Sequence, residues 1–177
     1  MRTRLKDAVT EVWGGLRRPW QLTYVAWDET PGAIVGDGRP WAFLRGTETL
    51  RASDAGIEAT VTLGSRTAAG GVCLGVKGPD DLVALEVRND GRVRVRVKRR
   101  GVWTDVGGVT LPSSPAERPL RLHLRVGGSV LRLHIGMPFP DIPFSVAGLT
   151  PSDLDGSAGL MAESGEVRFE SVDIRGR

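Results

Sequence analysis

The chain has 177 residues, 40% hydrophobic and 25% charged, a size at which one core buries most of the apolar surface, so a single domain over 1–177 is expected. That composition excludes intrinsic disorder, and no run approaches the roughly 20 apolar residues of a membrane span. The net charge of +3 rests on 21 Arg and 3 Lys against 21 acidic residues, which leaves no strongly cationic chain.

The 24 Gly and 11 Pro recur between short apolar runs, as a many-turned β protein requires. The charged start Met1–Asp7 is followed by no apolar run of signal-peptide length, so synthesis in the cytoplasm is expected, with incorporation into a virus particle as an alternative destination. Cys73 is the one cysteine. It permits no intrachain disulfide, and its apolar neighbours Val72 and Leu74 predict a buried, inert thiol.

In chain order, Leu5, Val9, Val12, Trp13 and Leu16 recur at spacings of three and four, which predicts one amphipathic helix, a helical extension over 1–18 ended by Gly14, Gly15 and Pro19. So short a helix needs a surface to lie on and is a candidate docking element. Residues 20–46 read as short strands and ordered loops. From Ile57 to Leu63 the period becomes two, a half-buried strand. Gly71 to Val76 is continuously apolar, a central strand covered on both faces. Leu82–Arg88 and Arg92–Lys98 alternate around Asn89, Asp90 and Gly91, a strong hairpin signal. Val102–Val106 follows a second reversal at Arg100 and Gly101. A third hairpin joins Leu120–Val126 to Val130–Ile135. Residues 136–155 read as a long ordered connection, and Ala158–Ala162 and Glu166–Ile174 as the last strands. Ten to twelve strands exceed the seven to nine of an immunoglobulin-like sandwich and predict an all-β, two-sheet antiparallel jelly roll over 20–177.

The order of segments carries a resemblance. Trp41–Gly46 leads to Thr49–Ala52. Then come Ala69–Gly75, Leu82–Val87, the Asn89–Gly91 turn and a strand ending before Trp103. Last come Ser157–Ala162, with its Gly-Leu-Met-Ala, and Glu166–Ile174. Over 41–174 this resembles the concanavalin A-like, laminin-G-like jelly rolls of the lectin and glucanase superfamily. The resemblance implies curved sheets with a concave face that in many relatives holds a glycan. The Glu-x-Asp-x-x-Glu strand of the related glucanases is absent, and Glu86 is the nearest acidic residue on a strand.

No Asp/Glu pair spaced by two on one strand is present for glycoside hydrolysis, Glu163 and Glu166 straddle a turn, and neither His adjoins a nucleophile motif. Asp153 and Asp155 lack the further oxygen ligands of a calcium loop. Neither an enzyme, a cofactor nor a metal is expected. The distinctive feature is basic. Arg92, Arg94 and Arg96 emerge from one face of their strand, and Arg121, His123, Arg125, Arg132 and His134 share the outward phase on two others. If these strands are neighbours, one face is lined by cations that call for Glu86, Glu58 or an external anion. Replacing Arg94 and Arg96 by Gln is then expected to leave the fold intact.

The ligand-binding candidates are therefore Arg92, Arg94, Arg96, Arg121, His123, Arg132 and His134. Nucleic acid is not expected, because no aromatics interleave with the basic residues. Trp41 and Trp103 are assigned to the core or sheet rims, and Trp20 and Trp27 to loop-like sequence. The resulting expectation is a non-catalytic recognition or assembly module that binds an acidic or neutral glycan, or a protein. The alternatives are a structural subunit of a larger particle such as a phage tail or virion surface, and a polysaccharide hydrolase or lyase.

Overall fold

A computed structural model describes residues 20–22, 27–30, 33–37, 42–46, 49–51, 55–78, 80–127, 130–136 and 142–176, with the backbone alone described in 20–46 and 142–145. The helix expected over 1–18, and Trp41, lie outside the described residues.

The described residues form two seven-stranded antiparallel sheets. The first runs β1 (Trp20–Leu22), β4 (Ala42–Gly46), β13 (Ser157–Ser164), β6 (Ala69–Gly78), β7 (Asp81–Arg88), β8 (Arg92–Arg99) and β9 (Val102–Thr110). The second runs β12 (Ile142–Val146), β11 (Val130–Gly136), β10 (Leu120–Gly127), β5 (Gly56–Leu63), β14 (Glu166–Arg175), β3 (Ala33–Asp37) and β2 (Trp27–Thr30). Among the described strands the chain changes sheet after β1, β3, β4, β5, β9, β12 and β13, so the two layers are woven from the whole described chain. This is the all-β jelly roll that the spacing of turns predicts.

Alternation sets the core. Ile57, Ala59, Val61 and Leu63 of β5 and Leu120, Leu122, Leu124 and Val126 of β10 point inward against Val83, Leu85, Val87, Val93, Val95 and Val97 of the opposing sheet. All six residues of the β7–β8 hairpin are 4% exposed or less, so the hairpin lies as its alternation requires. Among the described residues Phe169 is the bulkiest fully buried side chain. β6 is apolar from Ala69 to Val76 because both its faces are covered there: Val72 and Leu74 join the core between the sheets. Cys73 and Val76 join a second cluster with Leu82, Ala84 and Met161 on the outer side.

The turns follow their chemistry. Gly91 takes φ +85° in the three-residue β7–β8 loop, and Arg100 and Gly101 both take positive φ, 51° and 82°, in the two-residue reversal before β9, as type I′ geometry demands. Two elements correct the sequence reading of 136–155. An edge strand, β12, pairs with β11 there, and Pro143 is tolerated because an edge leaves one side of the strand free of ladder bonds. A short helix, α1 (Pro151–Leu154), follows, with Pro at its start and Thr150 and Asp153 forming a capping box.

Candidate functional site

The outer face of the first sheet carries the most developed polar constellation. On β7 the outward residues are Leu82, Ala84 and Glu86, and on β8 they are Arg92, Arg94, Arg96 and Lys98. Ladder pairing sets Glu86 opposite Arg94 and Ala84 opposite Arg96, and continues to Arg96 opposite Asp105 and Lys98 opposite Trp103. The floor is the apolar cluster of Cys73, Val76, Leu82, Ala84 and Met161, with Trp103 packed against it.

Glu86 is fully buried at the centre. Its Oε1 accepts from Arg94 Nη2 at 2.6 Å and its Oε2 from Arg96 Nη1 at 2.6 Å. The same Arg96 nitrogen donates to Glu163 at 2.8 Å, and Arg96 Nε donates to Asp105 at 3.1 Å. Arg94 also reaches Asp105, and Arg88 lies 3.5 Å from Glu86 and 3.6 Å from Glu163. Burial pushes the Glu86 carboxyl up, but its hydrogen bonds with Glu163, Arg94 and Arg96 hold it below its ordinary value. Glu163 moves the other way: burial raises its pKa, and the adjacent Glu86 raises it further. Arg96 Cζ sits 4.4 Å over the Trp103 ring, so the cation occupies that face of the indole.

The second sheet's outer face is organised in rows across the strands. One row reads His134, His123, Glu58, Asp173 through β11, β10, β5 and β14. The two imidazoles face each other with ring centres 5.9 Å apart. Arg121 pairs with Glu58, and Arg175 with Asp173 at 2.7 Å. A cavity of about 350 Å³ is lined by Glu58, Arg121, His123, His134 and Gly136. Burial lowers the His123 pKa, and although Glu58 opposes this, His134, Arg175 and Arg125 push the same way.

The seven basic residues singled out in the sequence therefore do not share one face. Arg121, His123, Arg132 and His134 come together on the paired strands β10 and β11, whereas Arg92, Arg94 and Arg96 lie on the other sheet. The inference that Arg94 and Arg96 are freely exchangeable surface residues is corrected as well. Their side chains are only 25% and 11% exposed, and Glu86, Asp105 and Glu163 already supply the anions that three aligned cations call for. Arg92, 66% exposed, pairs with Asp90 at 3.1 Å.

Sequence reasoning missed Glu163 as a partner of Glu86, because the two lie on β13 and β7 and meet only across β6. No pattern within a strand signals such a contact. Trp103 stands on β9, the rim strand of its sheet. Trp20 and Trp27, read as loop-like, begin the strands β1 and β2. Asp153 holds the Thr150 amide at 2.8 Å and Arg99 at 2.5 Å, the work of a turn carboxylate. Among the described residues no set of three His, Cys, Asp or Glu is arranged to hold a metal ion, and no helix is long and apolar enough to cross a membrane.

No protein-family model and no curated protein matches the sequence. Solved structures do match. The carbohydrate binding module CBM66 from Bacillus subtilis superposes with a TM-score of 0.75 at 15% identity, over 88% of this chain and 94% of that one. The exoplasmic/lumenal domain of VIP36, in its Ca2+/Man3GlcNAc-bound form, gives a TM-score of 0.59 at 12% identity, over 90% and 84%. The GH43 protein BlXynB from Bacillus licheniformis gives 0.66 at 11% identity, over 89% of this chain and 37% of that one. The fold is a concanavalin A-like jelly roll. In the GH43 protein this chain thus corresponds to about a third of the length.

Proposed function

We propose that this chain is a non-catalytic recognition module that binds a glycan on the outer face of its first sheet, through Arg94, Arg96, Asp105 and Glu163. One observation carries the reading: buried Glu86 fixes two guanidinium groups in a charge-balanced network over an apolar floor. Sugar hydroxyls both donate and accept, and ionised partners make hydrogen bonds about twice as strong as neutral ones. A network already held in place loses little further freedom on binding. Because Arg94 and Arg96 are compensated by acids, the favoured ligand is a neutral glycan rather than an acidic polymer. The similarity in fold to CBM66, a carbohydrate binding module, and to the Man3GlcNAc-bound domain of VIP36 supports the ligand class.

Absence of turnover belongs to the same reading. Glycosidic cleavage needs one carboxylic acid and one free carboxylate held apart across the bond, whereas Glu86 and Glu163 are tied to one Arg96 nitrogen. A panel of oligosaccharides, screened by array and then by calorimetry, tests this. A neutral glycan should bind with little dependence on salt, Asp105→Asn should weaken binding at least tenfold, and no reducing ends should be released. Binding only to sulfated or phosphorylated polymers, or turnover abolished by Glu86→Gln, overturns it.

A protein partner is the second reading, favoured by the rim strand β9, where Val102 is 68% and Val106 36% exposed. The mass of the native particle separates the two, a monomer supporting glycan recognition and a megadalton assembly supporting a structural subunit.

A further inference from the structure

We propose that His123 and His134 form a two-imidazole clamp for a divalent late transition-metal ion, Cu2+ above all, within the cavity on the outer face of the second sheet. This site lies on the opposite sheet from the proposed glycan surface, and neither proposal depends on the other.

The backbone makes the clamp. His123 and His134 are direct ladder partners on β10 and β11, and directly opposed side chains start about 4.5–5.5 Å apart at Cβ. Imidazole nitrogen binds such ions at about 2.0–2.1 Å, which sets each ring centre roughly 3.2 Å from the ion and two rings sharing it roughly 4.6–6.4 Å apart, depending on the angle between them. The observed 5.9 Å between ring centres falls inside that range. Both rings line the same cavity of about 350 Å³, which leaves room for waters to complete the coordination.

The surroundings suit a cation better than the local arginines suggest. Arg121 is engaged by Glu58. A β-carbon placed on Gly127 would lie 2.9 Å from Arg132 Nε, so that guanidinium leans toward the hairpin tip, away from His134. The row beyond His123 continues with the carboxylates of Glu58 and Asp173. Among the described residues no set of three His, Cys, Asp or Glu is arranged to hold a metal, so two imidazole nitrogens select by the affinity order of the ions, in which Cu2+ exceeds Ni2+ and Zn2+.

The test is titration of the full chain with CuCl2 at pH 7.4 in a non-coordinating buffer, followed by calorimetry and electron paramagnetic resonance. Alongside it run His123→Ala, His134→Ala and Glu58→Gln, each checked for fold by circular dichroism. One equivalent should bind with couplings from two imidazole nitrogens. Each His variant should lose at least tenfold in affinity, and Ni2+ and Zn2+ should bind more weakly. Coupling to two nitrogens in parent protein carrying 15N-labelled histidine decides the matter even where a variant fails to fold. Absence of one-equivalent binding, a spectrum with fewer than two histidine nitrogens, or a folded His134→Ala that binds like the parent overturns the proposal.

Discussion

Glu86 and Glu163 approach the same Arg96 nitrogen, at 2.6 and 2.8 Å, from strands separated by the whole width of β6. One guanidinium thus links three strands of a sheet face. Removing it leaves Glu86, which is fully buried, with Arg94 at 2.6 Å and Arg88 at 3.5 Å. Breaking a buried pair from one side is costly because the other charge stays desolvated. Arg96→Gln should therefore destabilise the protein by about 2–4 kcal/mol, and Arg92→Gln by no more than about 0.5 kcal/mol. Urea denaturation of the two variants checks this, and equal midpoints would refute the central role of Arg96.

The two carboxyls also predict opposite effects of pH. Glu86 titrates below its ordinary value, so its contribution is present above pH 4.5 and is lost as pH falls through the lower folded-state value. Glu163 titrates above its ordinary value. Its protonated form is the one favoured by folding, so its contribution is complete below about 4.5 and is lost as pH rises through the raised value. Glu163→Gln should therefore gain stability relative to the parent as pH increases from 4 to 8. Melting temperatures of the pair across that range measure it, and a constant difference would contradict the assignment.

Arg100 stands at φ 51° beside Gly101 at 82° in the reversal between β8 and β9. A left-handed conformation costs an ordinary residue roughly 1–2 kcal/mol, and Asn tolerates it better by bonding locally. Arg100→Asn should raise stability by up to about 1 kcal/mol, as thermal and denaturant melts would show.

How far the sequence carries can be judged from particular strands. Val83 to Val97 alternate so regularly that the hairpin, its turn and its buried side follow from spacing alone, and the small residues of β6 announce a strand covered on both faces. Alternation reports which side of its own sheet a residue faces. It does not report which sheet. Arg96 and Arg121 have the same outward phase, yet the chain between β9 and β10 carries Arg121 into the other layer, so the single basic face expected from phase divides in two. Pairings such as Glu86 with Glu163 depend on strand order across the sheet, which no local pattern encodes. β12 escaped for a local reason: Pro143 reads as a breaker unless the strand is known to lie at an edge.

Cys73 offers a direct reporter on the polar network. It lies in the outer apolar cluster with Ala84 and Met161, fully buried, and burial first, then the nearby Glu86 charge, pushes its thiol well above the usual range. The thiolate is the reactive species, so the native parent should be inert to a disulfide reagent at pH 8 and react only in denaturant. Arg96→Gln loosens the lid over this cluster, and local opening free energies set the labelling rate when reclosing is fast. Labelling of that variant in native buffer should therefore speed up by roughly tenfold or more, one factor of ten for each 1.4 kcal/mol lost locally, whereas Arg100→Asn should leave the rate unchanged. Rapid labelling of the native parent would show that Cys73 is reached without opening this face. Equal rates in the parent and Arg96→Gln would show that the arginine does not hold it shut.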